Sequence, residues 1–274
     1  MPAPVPAMTI REELAATWGG TLEVCADLTA PAWARSTDCP GWTVQDVVAH
    51  LLGAEARLAG REAPPEDGSP DPPYVRNPLG HANEAWVRAR RHRPGAEVLE
   101  EFRTVTGERL AALGRTTPEE LSASSWTPAG TGTYRDLLLI RIFDSWVHEQ
   151  DIRRALGRPG HLAGPVAERC LDQVEGVLPY VVGKKAQAPE GSRVAVEVTG
   201  PTVRHLGVEV AGGRGRPTDA PGSPTVRLVG DFEAVMALAC GRWEAAPLLA
   251  EGRLVIEGDR ALGTAVADQL SFVP

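Results

Sequence analysis

Apolar positions recur every three to four residues from the start of the chain to Leu156, and every second residue in much of the chain beyond Lys185. The first spacing belongs to amphipathic helices, the second to strands with one buried face. Residues 8–28 predict a helix with the stripe Leu14, Trp18, Leu22 and Cys25. Thr9 is its N-cap, and Glu12 completes a capping box. Pro40-Gly41 predicts a turn, after which Thr43 caps a second helix, with Asp46 facing the exposed amides. Val47, His50, Leu51 and Ala54 share the apolar face of that helix. Residues 61–78, rich in Pro, Gly and acidic side chains, predict a loop long enough for a lid or flap. A third helix is expected from about Gly80 to Arg93, with Ala85, Trp86 and Ala89 inward. A fourth stretch, Glu97 to Leu113, carries the stripe Leu99, Phe102, Val105 and Leu110. Residues 114–132 predict a further loop.

The helix with the most unusual face runs from Tyr134 to about Leu156, and Gly157-Arg158-Pro159-Gly160 ends it. Arg153, Arg154 and Arg158 suit the negative end of its dipole. A composition shift comes next, so residues 1–162 predict a four-helix bundle and residues 163–274 a smaller α+β domain. In the second part, Val166–Val182 predicts a helix. Val194–Val198, Gly207–Val210, Thr225–Gly230 and Leu254–Asp259 predict strands. Phe232–Cys240 and Arg260 to about Leu270 predict helices, and Gly212–Pro224 a flexible hairpin loop.

Composition narrows the function. The 274 residues carry a net charge of −8 with a pI near 5.4. That balance gives no basis for nucleic-acid binding. No apolar run approaches the roughly 18–20 residues needed to span a bilayer, so no membrane association is expected. The N-terminal Met1–Pro6 lacks a basic-then-apolar pattern, and a cytoplasmic location is expected. Cys25, Cys39, Cys170 and Cys240 form no CxxC pair and are expected to be buried free thiols. Lys184 and Lys185 are the only lysines among 28 basic residues. With abundant Ala, Gly and Pro, this bias suggests a high-GC bacterium.

The candidate chemistry lies on inward faces. Asp144 and His148 are four apart and stack on one helix face; Asp151, three further on, joins them. Such groups are costly to bury without a partner. A divalent metal is one partner and an Asp–His hydrogen bond another. His50 points inward from a different helix. In an antiparallel bundle, facing helices bring such residues together. His50, Asp144 and His148 would then form a ligand set with open positions, the condition for a catalytic site. His81 and His92 read as solvated surface.

Two segments resemble the signatures of the mycothiol-dependent maleylpyruvate isomerase family. They are Pro40-Gly41-Trp42-Thr43-Val44-Gln45-Asp46-Val47-Val48-Ala49-His50-Leu51 and Asp144-Ser145-Trp146-Val147-His148-Glu149-Gln150-Asp151-Ile152-Arg153. The C-terminal part, with Val229-Gly230-Asp231 and Ile256-Glu257-Gly258-Asp259, resembles the second domain of that family. The resemblance implies a DinB-like four-helix bundle and, after it, an α/β domain of sterol-carrier shape, in an actinobacterial protein. It implies a divalent metal, usually zinc, at His50, Asp144 and His148, although the isomerase proper has Glu where this chain has Asp144. It implies mycothiol as thiol cosubstrate and Arg242 as the functional arginine of the second domain. Asp151 would be a supporting residue or an arginine partner. A thiolate would add to an electrophilic small molecule, giving either a cis–trans isomer or an S-transfer product, in a monomer or homodimer. A non-catalytic small-molecule or lipid binding protein and a metal-dependent hydrolase are the competing readings.

Overall fold

The computed structural model describes residues 8–65, 68–219 and 223–272. Met1–Pro6 and parts of the two loops expected at 61–78 and 212–224 lie outside the described residues. The chain divides into two compact units, Met1–Gly160 and His161–Pro274. Among the described residues no helix is long and apolar enough to cross a membrane.

The first unit is built on α1 (Ile10–Val24), α3 (Val44–Leu58), α5 (Gly95–Leu113) and α7 (Tyr134–Leu156), with the short α2 (Ala30–Trp33) before α3 and α4 (Pro78–Arg88) after it. Helix α1 packs on α5 and α7, and α3 packs on the same two, which closes a four-helix bundle; α4 lies against α3. The starts of three of these four helices are written in the sequence. Thr9, Thr43 and Thr133 each accept from the third helical amide while Glu12, Asp46 and Asp136 reach back, so three capping boxes fix the registers. At the far end of α7, Gly157 adopts φ +65°, a left-handed conformation that suits glycine.

Several expectations are corrected. Helix α4 starts earlier and ends sooner than the apolar pattern implied. Asn77 caps it, and Ala89 is exposed, whereas Glu84, Trp86 and Val87 are buried. The segment at 61–78 is no loose flap where it is described. Arg88 donates to Ser69 O and Pro70 O, Asp71 pairs with His81 at 2.7 Å, and Tyr74 bonds Glu84. The stretch 114–132 holds the short helix α6 (Pro118–Ser122) and the hairpin β1 (Ser124–Thr127)–β2 (Gly130–Thr133). The arginines near the end of α7 do more than complement its dipole. Arg153 pairs with buried Glu149, and Arg158 donates to Val24 O at the end of α1.

The second unit carries α8 (Pro165–Tyr180), a π-helical turn at Val181–Lys185, β3 (Arg193–Thr199), β4 (Arg204–Ala211), β5 (Arg214–Thr218), β6 (Val226–Asp231), α9 (Phe232–Ala239), α10 (Ala245–Ala250), β7 (Leu254–Gly258) and α11 (Arg260–Asp268). The sheet order is β5-β4-β3-β6-β7; β3 and β6 are parallel and the other pairs antiparallel. Helix α8 packs on β4 and β5, and α11 on β6 and β7. Strand β5 and helix α10 were not expected from the pattern. Strand β5 has no alternating apolar pattern, and its Gly215 passes close to the helix. A Cβ there would lie 2.1 Å from Pro179 O, and one on Gly183 would lie 2.3 Å from Gly215 N.

Candidate metal centre

Helix α7 is buried on nearly every side between Arg141 and Arg153. A helix so placed ordinarily carries apolar residues all round. Here Arg141, His148, Glu149, Gln150, Asp151 and Arg153 are buried as well, so each needs a partner. The i, i+4 spacing puts the Asp144 and His148 side chains side by side, with His148 Nε2 3.7 Å from Asp144 Oδ1. Helix α3 faces them and brings His50 Nε2 to 3.4 Å from Asp144 Oδ2. The two imidazoles meet edge to face, with ring centroids 4.7 Å apart. One potential ligand atom from each of His50, Asp144 and His148 lies within 4.8 Å of the others.

The hydrogen-bond accounting is uneven around this point. His50 is 5% exposed, and neither of its ring nitrogens has a hydrogen-bond partner. Its approach to Asp144 is an ion-pair distance without the direction of a hydrogen bond. Burial lowers its pKa to about 4, against the pull of the nearby Asp144 carboxylate, so the ring is neutral near pH 7. Burial also works to raise the Asp144 pKa. The Arg141 guanidinium, with His50 and His148, outweighs it and holds the carboxyl well below the usual carboxylate range. Arg141 bonds Asp144 Oδ2 at 2.5 Å and Glu55 Oε1 at 2.8 Å; Glu55 in turn pairs with Arg109 at 3.1 Å. A neutral, unpartnered imidazole beside an ionised carboxylate and a second imidazole is a donor set that fits a divalent cation.

Three contributors escaped the sequence reading. Trp42 stacks obliquely on His50 and His148, with centroids at 5.0 and 6.1 Å, and its Nε1 donates to Glu84. Cys39 Sγ lies 3.0 Å from Asp151 Oδ2 and 3.7 Å from His148 Nδ1, so Cys39, His148 and Asp151 form a second cluster that shares His148. Arg141 anchors the carboxylate. The first two come from one turn: Trp42 N bonds Cys39 O, with Pro40 and Gly41 between them and Gly41 at φ +73°. That is the pattern of a type II turn. The Pro-Gly pair just before the His50 helix was the signal for both. Arg242 lies in the second unit beyond α9, where its Nη1 donates to Cys240 O at 3.0 Å.

Comparison with known proteins now adds to the geometry. An uncharacterized protein of Mycobacterium tuberculosis is 28% identical over 137 residues, 48% of this chain and 50% of that protein; the chain thus spans about half the length of the curated relative it matches. A crystal structure of the mycothiol-dependent maleylpyruvate isomerase covers 87% of this chain and 93% of its own, with TM-score 0.56 and 17% identity. A histidine-to-alanine mutant of that isomerase covers 92% and 96%, with TM-score 0.56 and 15% identity. At such identities these structures speak for the fold alone. Residues 168–265 match the family's C-terminal domain. Residues 14–153, just over half of the chain, match the domain described as the mycothiol maleylpyruvate isomerase N-terminal domain, and the chain belongs to that family.

Proposed function

We propose that the protein is a metal-dependent enzyme that activates a low-molecular-weight thiol, mycothiol in this family, for addition to an electrophilic small molecule. His50, Asp144 and His148 would hold the ion, with zinc the first choice for two imidazoles and a carboxylate. When bound, such an ion lowers the pKa of a thiol so that thiolate is present near neutral pH. The observation that carries the reading is His50: a neutral imidazole, buried, with both nitrogens unpartnered and one facing an ionised carboxylate.

The chain's own residues supply the rest. Arg141 keeps Asp144 ionised and fixes its carboxylate from the side away from His148 Nε2. The Trp42 indole covers both imidazoles and excludes water from their faces. For a cis-enedione, addition of the thiolate to one alkene carbon turns the double bond into a rotatable single bond. Elimination then returns the thiolate and the trans isomer. For other electrophiles the adduct is the product, an S-transfer. Arg242 is proposed to hold a substrate carboxylate by paired hydrogen bonds.

Elemental analysis of protein purified without chelators tests the site: one divalent ion per chain is expected, lost in His50→Ala and in His148→Ala. No ion and no uptake of added zinc would remove the reading. Turnover of electrophiles is expected to require added mycothiol; equal turnover without thiol would point to hydrolysis instead. Arg242→Ala should slow anionic electrophiles and leave zinc stoichiometry unchanged, and unaltered kinetics with all of them would withdraw that residue.

A further inference from the structure

His148 belongs to two clusters through its opposite ring nitrogens. Nε2 faces Asp144 and His50, whereas Nδ1 lies 3.0 Å from Asp151 Oδ2. The second cluster differs from the first in its hydrogen bonding. Asp151 is fully buried, and its Oδ2 accepts from the Cys39 thiol at 3.0 Å. Its Oδ1 accepts from Arg154 Nη2, and Arg154 Nε is bonded at 2.6 Å to Asp38, the neighbour of Cys39. A carboxylate held by a guanidinium is ionised and only accepts. Nδ1 at 3.0 Å from it must therefore carry a proton, because two facing lone pairs would repel. In the neutral ring that leaves the lone pair on Nε2.

We propose that Asp151, clamped by Arg154 and the Cys39 thiol, is a positioning residue that fixes His148 in the Nδ1–H tautomer and aims its Nε2 lone pair at the His50–Asp144 centre. The Cys39–His148–Asp151 cluster is then a hydrogen-bonded buttress and holds no ion of its own. The functional consequence rests on the proposed metal site; the tautomer does not.

Arg154 also makes the proposal sharp. In Asp151→Asn the guanidinium keeps an oxygen at the Oδ1 position and turns the amide nitrogen toward Nδ1. The ring must then present its Nδ1 lone pair to the amide and place its proton on Nε2, which blocks ligation. Asp151→Ala leaves both tautomers open. Zinc affinity, read by competition with a chelating dye, should therefore fall about 10–100-fold in Asp151→Asn. It should fall less in Asp151→Ala. A role in packing alone predicts the reverse order, since Asn preserves volume and Ala leaves a cavity.

The tautomer is read directly from the ring ¹⁵N shifts of His148 in metal-free wild-type protein. A proton on Nδ1 is expected. A proton on Nε2 in the wild type, or undiminished zinc affinity in Asp151→Asn, would overturn the proposal. So would a second zinc ion per chain that disappears in Cys39→Ser. If wild-type protein binds no zinc at all, the metal reading fails while the ¹⁵N measurement still decides the positioning role.

Discussion

The helical unit buries Glu55, Arg109, Arg141, His148, Glu149, Asp151 and Arg153, among other ionisable groups; in the sheet unit the buried polar residues among those described are Ser192 and Thr202. The sheet unit instead closes over Phe232, Leu171, Leu178 and Leu228, all nearly inaccessible. The two units thus solve burial differently. Apolar side chains stabilise by leaving water, about 1.5–3 kcal/mol each. Buried ion pairs do little more than offset their own desolvation, and become costly when one partner is lost. The helical unit therefore stabilises itself less efficiently, and the arrangement it gains is a fixed set of donors around His50 and His148.

The largest expected effect comes from breaking the buried network at its centre. Glu55→Ala removes the carboxylate that Arg109 and Arg141 share, leaving Arg141 with Asp144 and Arg109 with the Tyr134 hydroxyl. A loss of about 5 kcal/mol is expected, since breaking one buried pair costs about 3–5. Urea denaturation monitored by tryptophan fluorescence measures it, because Trp243 is the only one of seven tryptophans outside the helical unit. A loss under about 1 kcal/mol, the scale of exposed pairs, would erase the contrast between the units. Phe232→Ala is the matching cut in the sheet unit, expected to cost about 3–5 kcal/mol through its cavity. Neither loss should depend strongly on ionic strength, because both sites are buried and screening acts mainly on exposed charges.

Next comes the pH dependence of metal-free protein. The folded pKa of His50 is depressed from 6.5 to about 4, so its neutral form is favoured on folding. Above the unfolded value both states are neutral and the stability is complete. Between pH 6.5 and 4 the unfolded chain takes up a proton that the folded chain refuses, and stability falls as pH drops through the folded value. The loss is on the order of 3 kcal/mol. Asp144, with its own depressed pKa, adds a further loss at still lower pH. Replacing His50 with Phe should flatten the first window; a curve that still parallels the wild type would show that another group governs it. The smallest effect is the loss of a cap in the sheet unit: Asp259→Ala removes the acceptor for Leu262 N at the start of α11 and should cost about 1 kcal/mol in urea denaturation followed by far-ultraviolet circular dichroism.

Legibility in the sequence divides along the same line. The helix starts at Thr9 and Thr43 were legible because a threonine and an acidic residue stand three apart; the same spacing at Thr117 and Glu120 starts α6 inside a stretch that reads as loop. The convergence of His50, Asp144 and His148 was legible because helical spacing and inward faces fix direction. Strand β5 was not, since it has no alternating apolar pattern. The hairpin β1–β2 was missed because small and polar residues carry it, with Trp126 63% exposed. Cys39 and Trp42 were missed because they meet His148 from a loop, and loop residues have no period to betray where they point; Asp151, on α7 with His148, was placed on the right face by its spacing.

That loop has a consequence for the chain's tolerance of change in length. Cys39 and Trp42 are the two ends of one four-residue turn, and the turn reaches both the Nδ1 edge of His148 and its ring face. Turn geometry therefore sets the gauge of a slot into which the imidazole fits. An added or deleted residue between Cys39 and Trp42 would change that gauge while leaving every helix intact. Substitutions within the turn can be absorbed one side chain at a time, but an insertion or deletion there would disengage thiol and indole together.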